Sequence, residues 1–445
     1  MEGPKIVVTP PGPKAKAFID RDHAVTSPSL TRTAPLVGVE EEGVWVKDID
    51  GNVFLDFSSG IAVTNIGHKH PKVVEAIKMQ AEKLIFINSC DFYTLPQVEL
   101  IEKLFEVTPG KFKKRAFLGN SGAEAVEAAL KIAQWHTKNY YTIAFIGGFH
   151  GRTMGSLQLT TTGVSARRHF KGMMPGAYHV PYAYCYRCPF KQEYPDCGLW
   201  CVGYIEDIIL KKVVPPEDVA CMIVEPIQGA GGYIVPPDDY LPALSKLCKK
   251  NNIILVIDEV QSGFCRTGKW WACEHSGVEP DIMTASKAIA AGLPCGAAIS
   301  KAELMDWEPN AHENTLGGNP VVCAAALAVL EVLKSEKLAE NAAKVGGYLL
   351  KRFKEIAEKH HLIGDVRGRG LMIGIELVKD QKTKEPATKE RNDLLFEAFK
   401  KGLILLGAGV SSLRLAPPLI LTEKQADMGL EIFEKVLSEV EKKAH

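Results

Sequence analysis

Lys287 and Asp258 are the residues of this chain best placed by type and setting to do chemistry. Lys287 lies in TASKAIAAGLPCG (284–296), among small and apolar residues, with Gly and Pro following. Most lysines are solvated surface charges, but a desolvated lysine has a lowered pKa and can form a Schiff base with a carbonyl. Asp258 and Glu259 end the run IILVIDE (253–259). A solvent-exposed acidic pair is one reading. Yet the apolar run is continuous rather than alternating, as in a parallel strand buried on both faces. Ligands of such sheets lie beyond the carboxyl ends of the strands. A carboxylate half-buried there requires a cationic partner.

Two further segments add to this pair. LGNSGAEAVEAALKIA (118–133) places Ser121 as a helix N-cap, and Glu124 three residues later completes a capping box. A well-capped helix accounts for that pattern by itself. In addition, Gly122 and Ala123 let backbone N–H groups approach an anion, which a helix N-terminus attracts through free donors and its dipole. GGFHGRT (147–153) is a tight loop offering the Phe149 ring for stacking on a flat molecule and the Arg152 fork for a carboxylate. A surface turn with a buried Phe is the alternative. A Schiff-base lysine, a carboxylate for a pyridinium nitrogen and a phosphate cradle are jointly what pyridoxal 5′-phosphate (PLP) demands. Asp258 suits the ring nitrogen, and the cofactor is then its cationic partner.

The elements that must position these residues can be read coarsely. From about 71 to 330, helical patterns alternate with short apolar strands such as TIAFIG (142–147), VACMIVEP (219–226) and ILVIDE. That alternation argues for βα units on a mainly parallel sheet. GVWVKDIDGNVFLDF (43–57) reads as a hairpin, and the Pro-rich start as an arm lying on another surface. Beyond about 334, a helix, the strands LMIGIEL and LRLAPPL and a final helix indicate a smaller α+β unit. With 53 basic and 53 acidic residues the chain has no basic footprint for nucleic acid. Its longest apolar run, 321–330, is about half a membrane span. The N-terminus lacks a signal-peptide core, and eleven scattered Cys suit a reducing compartment. A cytoplasmic enzyme with small-molecule substrates is expected, with no nucleic-acid or membrane partner.

The ordered set NSGAEA, FHGRT, VEPIQG, IDEVQSGFCRTG, SKAIAAGLP and TLGGNP resembles the class III aminotransferases of PLP fold type I, which include ornithine, acetylornithine and 4-aminobutyrate aminotransferases. The likeness runs from 43 to 419. It implies an α/β fold: a three-layer αβα large domain with a mainly parallel central sheet, plus a smaller α+β C-terminal domain. The implied division is 1–70 for an N-terminal arm and small-domain segment, 71–333 for the PLP-binding domain and 334–445 for the C-terminal domain. Lys287 would hold PLP and shuttle the substrate proton, Asp258 would pair with the pyridine nitrogen, and Gln261 would lie near the ring hydroxyl. Phe149 would stack on the ring, Glu225 would stand beside the cofactor, and Ser121, Gly122 and Ala123 would bind phosphate. Thr315 would complete the phosphate site from a neighbouring subunit, making a homodimer or a dimer of dimers with shared sites. Arg152 and Arg414 would anchor carboxylates.

Four features depart from that pattern or extend it. Many ω-aminotransferases read IQGEGG where this chain has IQGAGG, and their glutamate masks the C-terminal arginine when an ω-amine is bound. Ala230 cannot, so Arg414 is either unmasked or gated by another carboxylate. Related racemases and epimerases commonly have aspartate there as a second base, which Ala230 also removes, leaving a Tyr, a His or water for that role. Asp91, in INSCDFYTLPQVEL (87–100), sits where it either holds the distal ammonium of a diamino substrate or makes a turn. Cys185, Cys188, Cys197 and Cys201 have the spacing C-x2-C-x8-C-x3-C, which permits a metal, disulfides or plain thiols; no metal is expected, as the spacing matches no common zinc module. His68 and His70 read as loop-packing residues. The expected activity is amino transfer from an ω-amino donor such as ornithine, lysine or 4-aminobutyrate to a 2-oxo acid, most readily 2-oxoglutarate. Racemisation or epimerisation is the alternative.

Overall fold

The computed structural model describes residues 1–170 and 176–444. Its centre is a seven-stranded sheet in the order Lys114–Gly119, Gly296–Lys301, Ile282–Ala285, Ile254–Asp258, Val219–Val224, Tyr141–Phe145, Ala177–Val180. Gly296–Lys301 runs antiparallel to both neighbours, and the other pairings are parallel. The run at 254–258 is continuously apolar because both of its faces are covered. Leu255 and Ile257 join the large core cluster that includes Leu244, Ala325 and Val329, while Ile254 and Val256 pack with Val126, Ala129 and Ile132 of the helix Gly122–Thr137. This is the three-layer αβα arrangement, with helices on each side of a mainly parallel sheet.

Two smaller sheets flank it. Strands Trp45–Asp48 and Val53–Asp56 form the expected hairpin, extended by Gly38–Glu42 on one side. On the other side Val53–Asp56 pairs in parallel with Leu403–Ile404, so the beginning of the chain is built into its end. The C-terminal sheet runs Ile363–Arg369, Met372–Asp380, Ser412–Leu415, Leu406–Ala408, all antiparallel. We propose the limits 70/71 and 333/334 as the division between these parts. Among the described residues no helix is long and apolar enough to cross a membrane.

Candidate active site

The residues of interest gather at the carboxyl ends of the central strands. Asp258 closes its strand and is almost sealed from solvent, at 3% exposure. Its Oδ2 lies 2.7 Å from His150 Nδ1, and its Oδ1 accepts from Thr284 Oγ1 (3.0 Å) and Val260 N–H (3.1 Å). Burial alone would push the His150 imidazole down, but the hydrogen bond and charge of Asp258, helped by Glu225, raise its pKa. His150 is the site residue that sequence reading missed: Asp258 has an imidazole partner within the chain. The only signal was an imidazole in the Gly-rich loop after a neighbouring strand. Glu259 is also buried, but its oxygens accept from Ser262 Oγ (2.6 Å) and Cys273 N–H (2.8 Å), so it fastens the following turn.

Glu225 follows the strand Val219–Val224 and bonds two loops at once. It accepts from Phe149 N–H and from Gly229 N–H, both at 3.0 Å. Burial pushes its pKa up to about 6, opposed by His150 and reinforced by Asp258. Phe149 is thereby held half-buried, with the exposed Arg152 guanidinium 5.8 Å from its ring centre. Gln261 Oε1 is buried without a hydrogen-bond partner among the described residues.

Lys287 opens a short 3-10 turn just beyond the strand Ile282–Ala285. Its φ of 45° is in the left-handed region, uncommon for a residue with a side chain and a recurrent form of strain at functional sites. Its Nζ makes no hydrogen bond and no ion pair among the described residues. Burial lowers its pKa, against the pull of Asp258 and Glu225, with Arg414 lowering it further. At the helix Gly122–Thr137, Ser121 Oγ accepts from Glu124 N–H at 3.2 Å, as expected of the cap. The capping box differs in detail, because the Glu124 carboxylate takes the N–H of Asn120 (2.8 Å), one residue before the cap. A Cβ on Gly122 would lie 2.9 Å from Val260 and 3.5 Å from the Ser286 side chain, so this helix start abuts both the Asp258 and the Lys287 turns.

The remaining candidates divide. Arg414, on Ser412–Leu415, has a buried Nε with no partner, and no carboxylate pairs with it, among the described residues; burial lowers its pKa. Ala230 is fixed through its carbonyl, which accepts from Gly409 N–H at 2.9 Å. Asp91 lies on an exposed turn, its carboxylate taking Asn88 Nδ2 at 2.6 Å. Thr315 is exposed. The four cysteines are free thiols lining one cavity of about 20 Å³, and no three ligand-type side chains among the described residues are grouped to hold a metal. His68 Nε2 sits 2.9 Å from Asp56, and His70 caps the helix Pro71–Lys83, both packing roles.

The arrangement suits PLP on the chain's own evidence: an unpaired desolvated lysine, an orphaned glutamine oxygen, a carboxylate held by an imidazole, and a helix start where only glycine fits. Comparison with known proteins agrees. The model of the class-III aminotransferases matches residues 27–437. An alanine/serine racemase of Pyrococcus horikoshii is 40% identical over 99% of this chain and 94% of its own. A leucine/methionine racemase of Thermococcus litoralis is 41% identical, covering 92% of each. A probable 4-aminobutyrate aminotransferase of Bacillus subtilis is 38% identical over 89% of this chain and 92% of its own. Among solved structures, a Bacillus anthracis aminotransferase superposes with a TM-score of 0.89 at 32% identity, covering 96% and 99% of the two chains. An ornithine aminotransferase of Toxoplasma gondii, with PLP at partial occupancy in its active site, gives 0.85 at 30% identity, covering 97% and 95%. The chain belongs to the class III aminotransferase family, enzymes of PLP fold type I, and its cofactor is PLP.

Proposed function

We propose that this enzyme transfers an amino group from an α-amino acid to a 2-oxo acid, 2-oxoglutarate being the first candidate, and works as a homodimer in the cytoplasm. The observation that carries this reading is the unpaired guanidinium of Arg414. With Ala at 230, no carboxylate among the described residues competes for it, so a substrate carboxylate meets a buried cation that gains an ionic partner on binding. Of the ω-amino donors expected from sequence, ornithine and lysine have less support, since Asp91 is engaged by Asn88.

Bound PLP supplies an electron sink for the carbanion at the substrate α-carbon. The chain's residues bind, orient and move the proton. Lys287 is assigned to anchor the cofactor and to carry the α-proton, a role supported by an Nζ that is unpaired among the described residues and by burial that lowers its pKa. Asp258, steadied by His150, is assigned to the ring nitrogen, Gln261 to the ring hydroxyl and Phe149 to the ring face, with Glu225 fixing the Phe149 loop. Ser121, Gly122 and Ala123 are assigned to phosphate, with Thr315 from a second copy of the chain. Arg152 is a second candidate carboxylate anchor. Support for the dimer comes from apolar side chains exposed beside Thr315: Leu316 at 56%, Phe92 at 58% and Tyr93 at 100%. Ser89 Oγ bonds Gly317 O (2.9 Å), tying the 85–95 and 314–319 segments into one patch.

A racemase or epimerase is the second reading, favoured by the two racemases among the relatives above. Against it stands Ala230, which supplies no second base. The two part in a half-reaction. The holoenzyme is mixed with one L-amino acid at a time, with no acceptor, and the oxo acid and the enantiomers are measured together. About one equivalent of oxo acid per site, with optical purity kept, supports transfer. Many turnovers of racemisation with little oxo acid would establish the racemase.

A further inference from the structure

Arg367, Gly374 and Arg414 form one cross-strand row of the C-terminal sheet, Arg367 paired with Gly374 and Gly374 with Arg414. Directly opposed residues of an antiparallel ladder point to the same face, so the two arginines flank the space that Gly374 leaves. The Gly232–Tyr233 segment fills it: a Cβ on Gly374 would lie 2.9 Å from Tyr233 Cβ. The next row on that face is Asp365, Glu376 and Ser412.

The two arginines have opposite fates. Arg367 uses its whole fork. Nη1 pairs with Asp365 (2.7 Å) and Glu376 (2.8 Å), Nη2 donates to Gly232 O (2.6 Å) and Ser412 Oγ (3.1 Å), and Nε to Tyr233 O (3.0 Å). Arg414 has no carboxylate partner among the described residues. Glu376 stands diagonal to it on the neighbouring strand, a Cα separation of about 7–8 Å that two long side chains can bridge. That carboxylate is instead taken by Arg367 and Arg187, with the Tyr184 hydroxyl also donating to it.

We propose that Arg367 is a positioning residue of the carboxylate site: by occupying Glu376 and pinning Gly232 and Tyr233, it keeps a latent masking carboxylate off Arg414. The inference rests on the reading that Arg414 receives the substrate carboxylate. Sequence reading left open a gate other than residue 230; Glu376 is that group, held in check.

The test uses the holoenzyme and propionate, a plain carboxylate, with its Kd measured by calorimetry. Arg367→Met should weaken propionate about tenfold or more, as Glu376 turns to Arg414, and adding Glu376→Gln should restore Kd to within about threefold of the parent. A double variant as weak as the single, or a folded Arg367→Met with unchanged Kd, overturns the proposal. Should Arg367→Met not fold, Arg367→Lys serves: one ammonium cannot span both carboxylates and both carbonyls, so Kd should rise and Glu376→Gln should again rescue it. Arg414→Met separates the two claims. If it binds propionate like the parent, the reading of Arg414 fails; if it does not bind and the rescue is absent, only the role of Arg367 fails.

Discussion

His150 Nδ1 stands 2.7 Å from Asp258 Oδ2, and both side chains are shut away from water. The Asp258 carboxylate raises the histidine's pKa through its hydrogen bond and its charge, against the effect of burial, and Thr284 and the Val260 N–H complete the carboxylate's shell of donors. The histidine's raised pKa makes its contribution pH-dependent, in one direction. Its stabilisation is fully present below the unfolded value near 6.5 and is lost as pH rises through the higher folded value. The difference in unfolding free energy between parent and His150→Gln should therefore be largest near pH 6 and shrink by pH 9. Urea unfolding of the apoenzyme at the two pH values checks this; a difference that grows with pH would contradict it. PLP affinity should also fall, by about tenfold or more, because a positioning partner of Asp258 is gone.

Glu225 works the other way from most carboxylates. Burial raises its pKa to about 6, so the folded apoenzyme binds a proton that the unfolded chain releases near 4.5. Stability from this group is present below 4.5 and lost as pH rises through 6, on the order of 1–2 kcal/mol. Glu225→Gln should remove that loss between pH 4.5 and 6.5. An unchanged pH profile would mean that the buried carboxylate is ionised throughout.

Ser121→Ala removes the N-cap acceptor of the helix Gly122–Thr137. The expected cost is about 1 kcal/mol of stability, with weaker PLP binding measured by equilibrium dialysis. A stability loss with unaltered PLP affinity would confine Ser121 to capping.

If the patch around Tyr93 is the dimer surface, Tyr93→Asp with Leu316→Asp should convert the dimer to monomer in light scattering and lower PLP occupancy, since Thr315 is assigned across that interface. A dimer of parental strength would place the interface elsewhere.

Much of this was legible in residue order. The run at 254–258 announced a doubly covered strand because alternate residues fill two different cores, and the hairpin at 45–56 formed as its turn residues indicated. Asp258 and Lys287 stood out because a carboxylate and a lysine at strand ends, amid apolar residues, have few structural uses. His150 did not stand out: its partner is 108 residues away, and the strand Val219–Val224 lies between their two strands. Nor could sequence show that Arg367 is saturated while Arg414 is bare among the described residues: Arg414 read as a carboxylate anchor, but the partners of Arg367 lie on strands and loops distant in the sequence. The left-handed backbone of Lys287 is likewise not announced by its residue type, since a lysine rarely adopts a positive φ.

Borohydride reduction of the holoenzyme, followed by digestion and mass spectrometry, tests the central claim most directly. The account predicts a phosphopyridoxyl group on the peptide carrying Lys287 and on no other, with Lys287→Ala yielding none. A label on a different lysine, or full labelling in the Lys287→Ala variant, would contradict it.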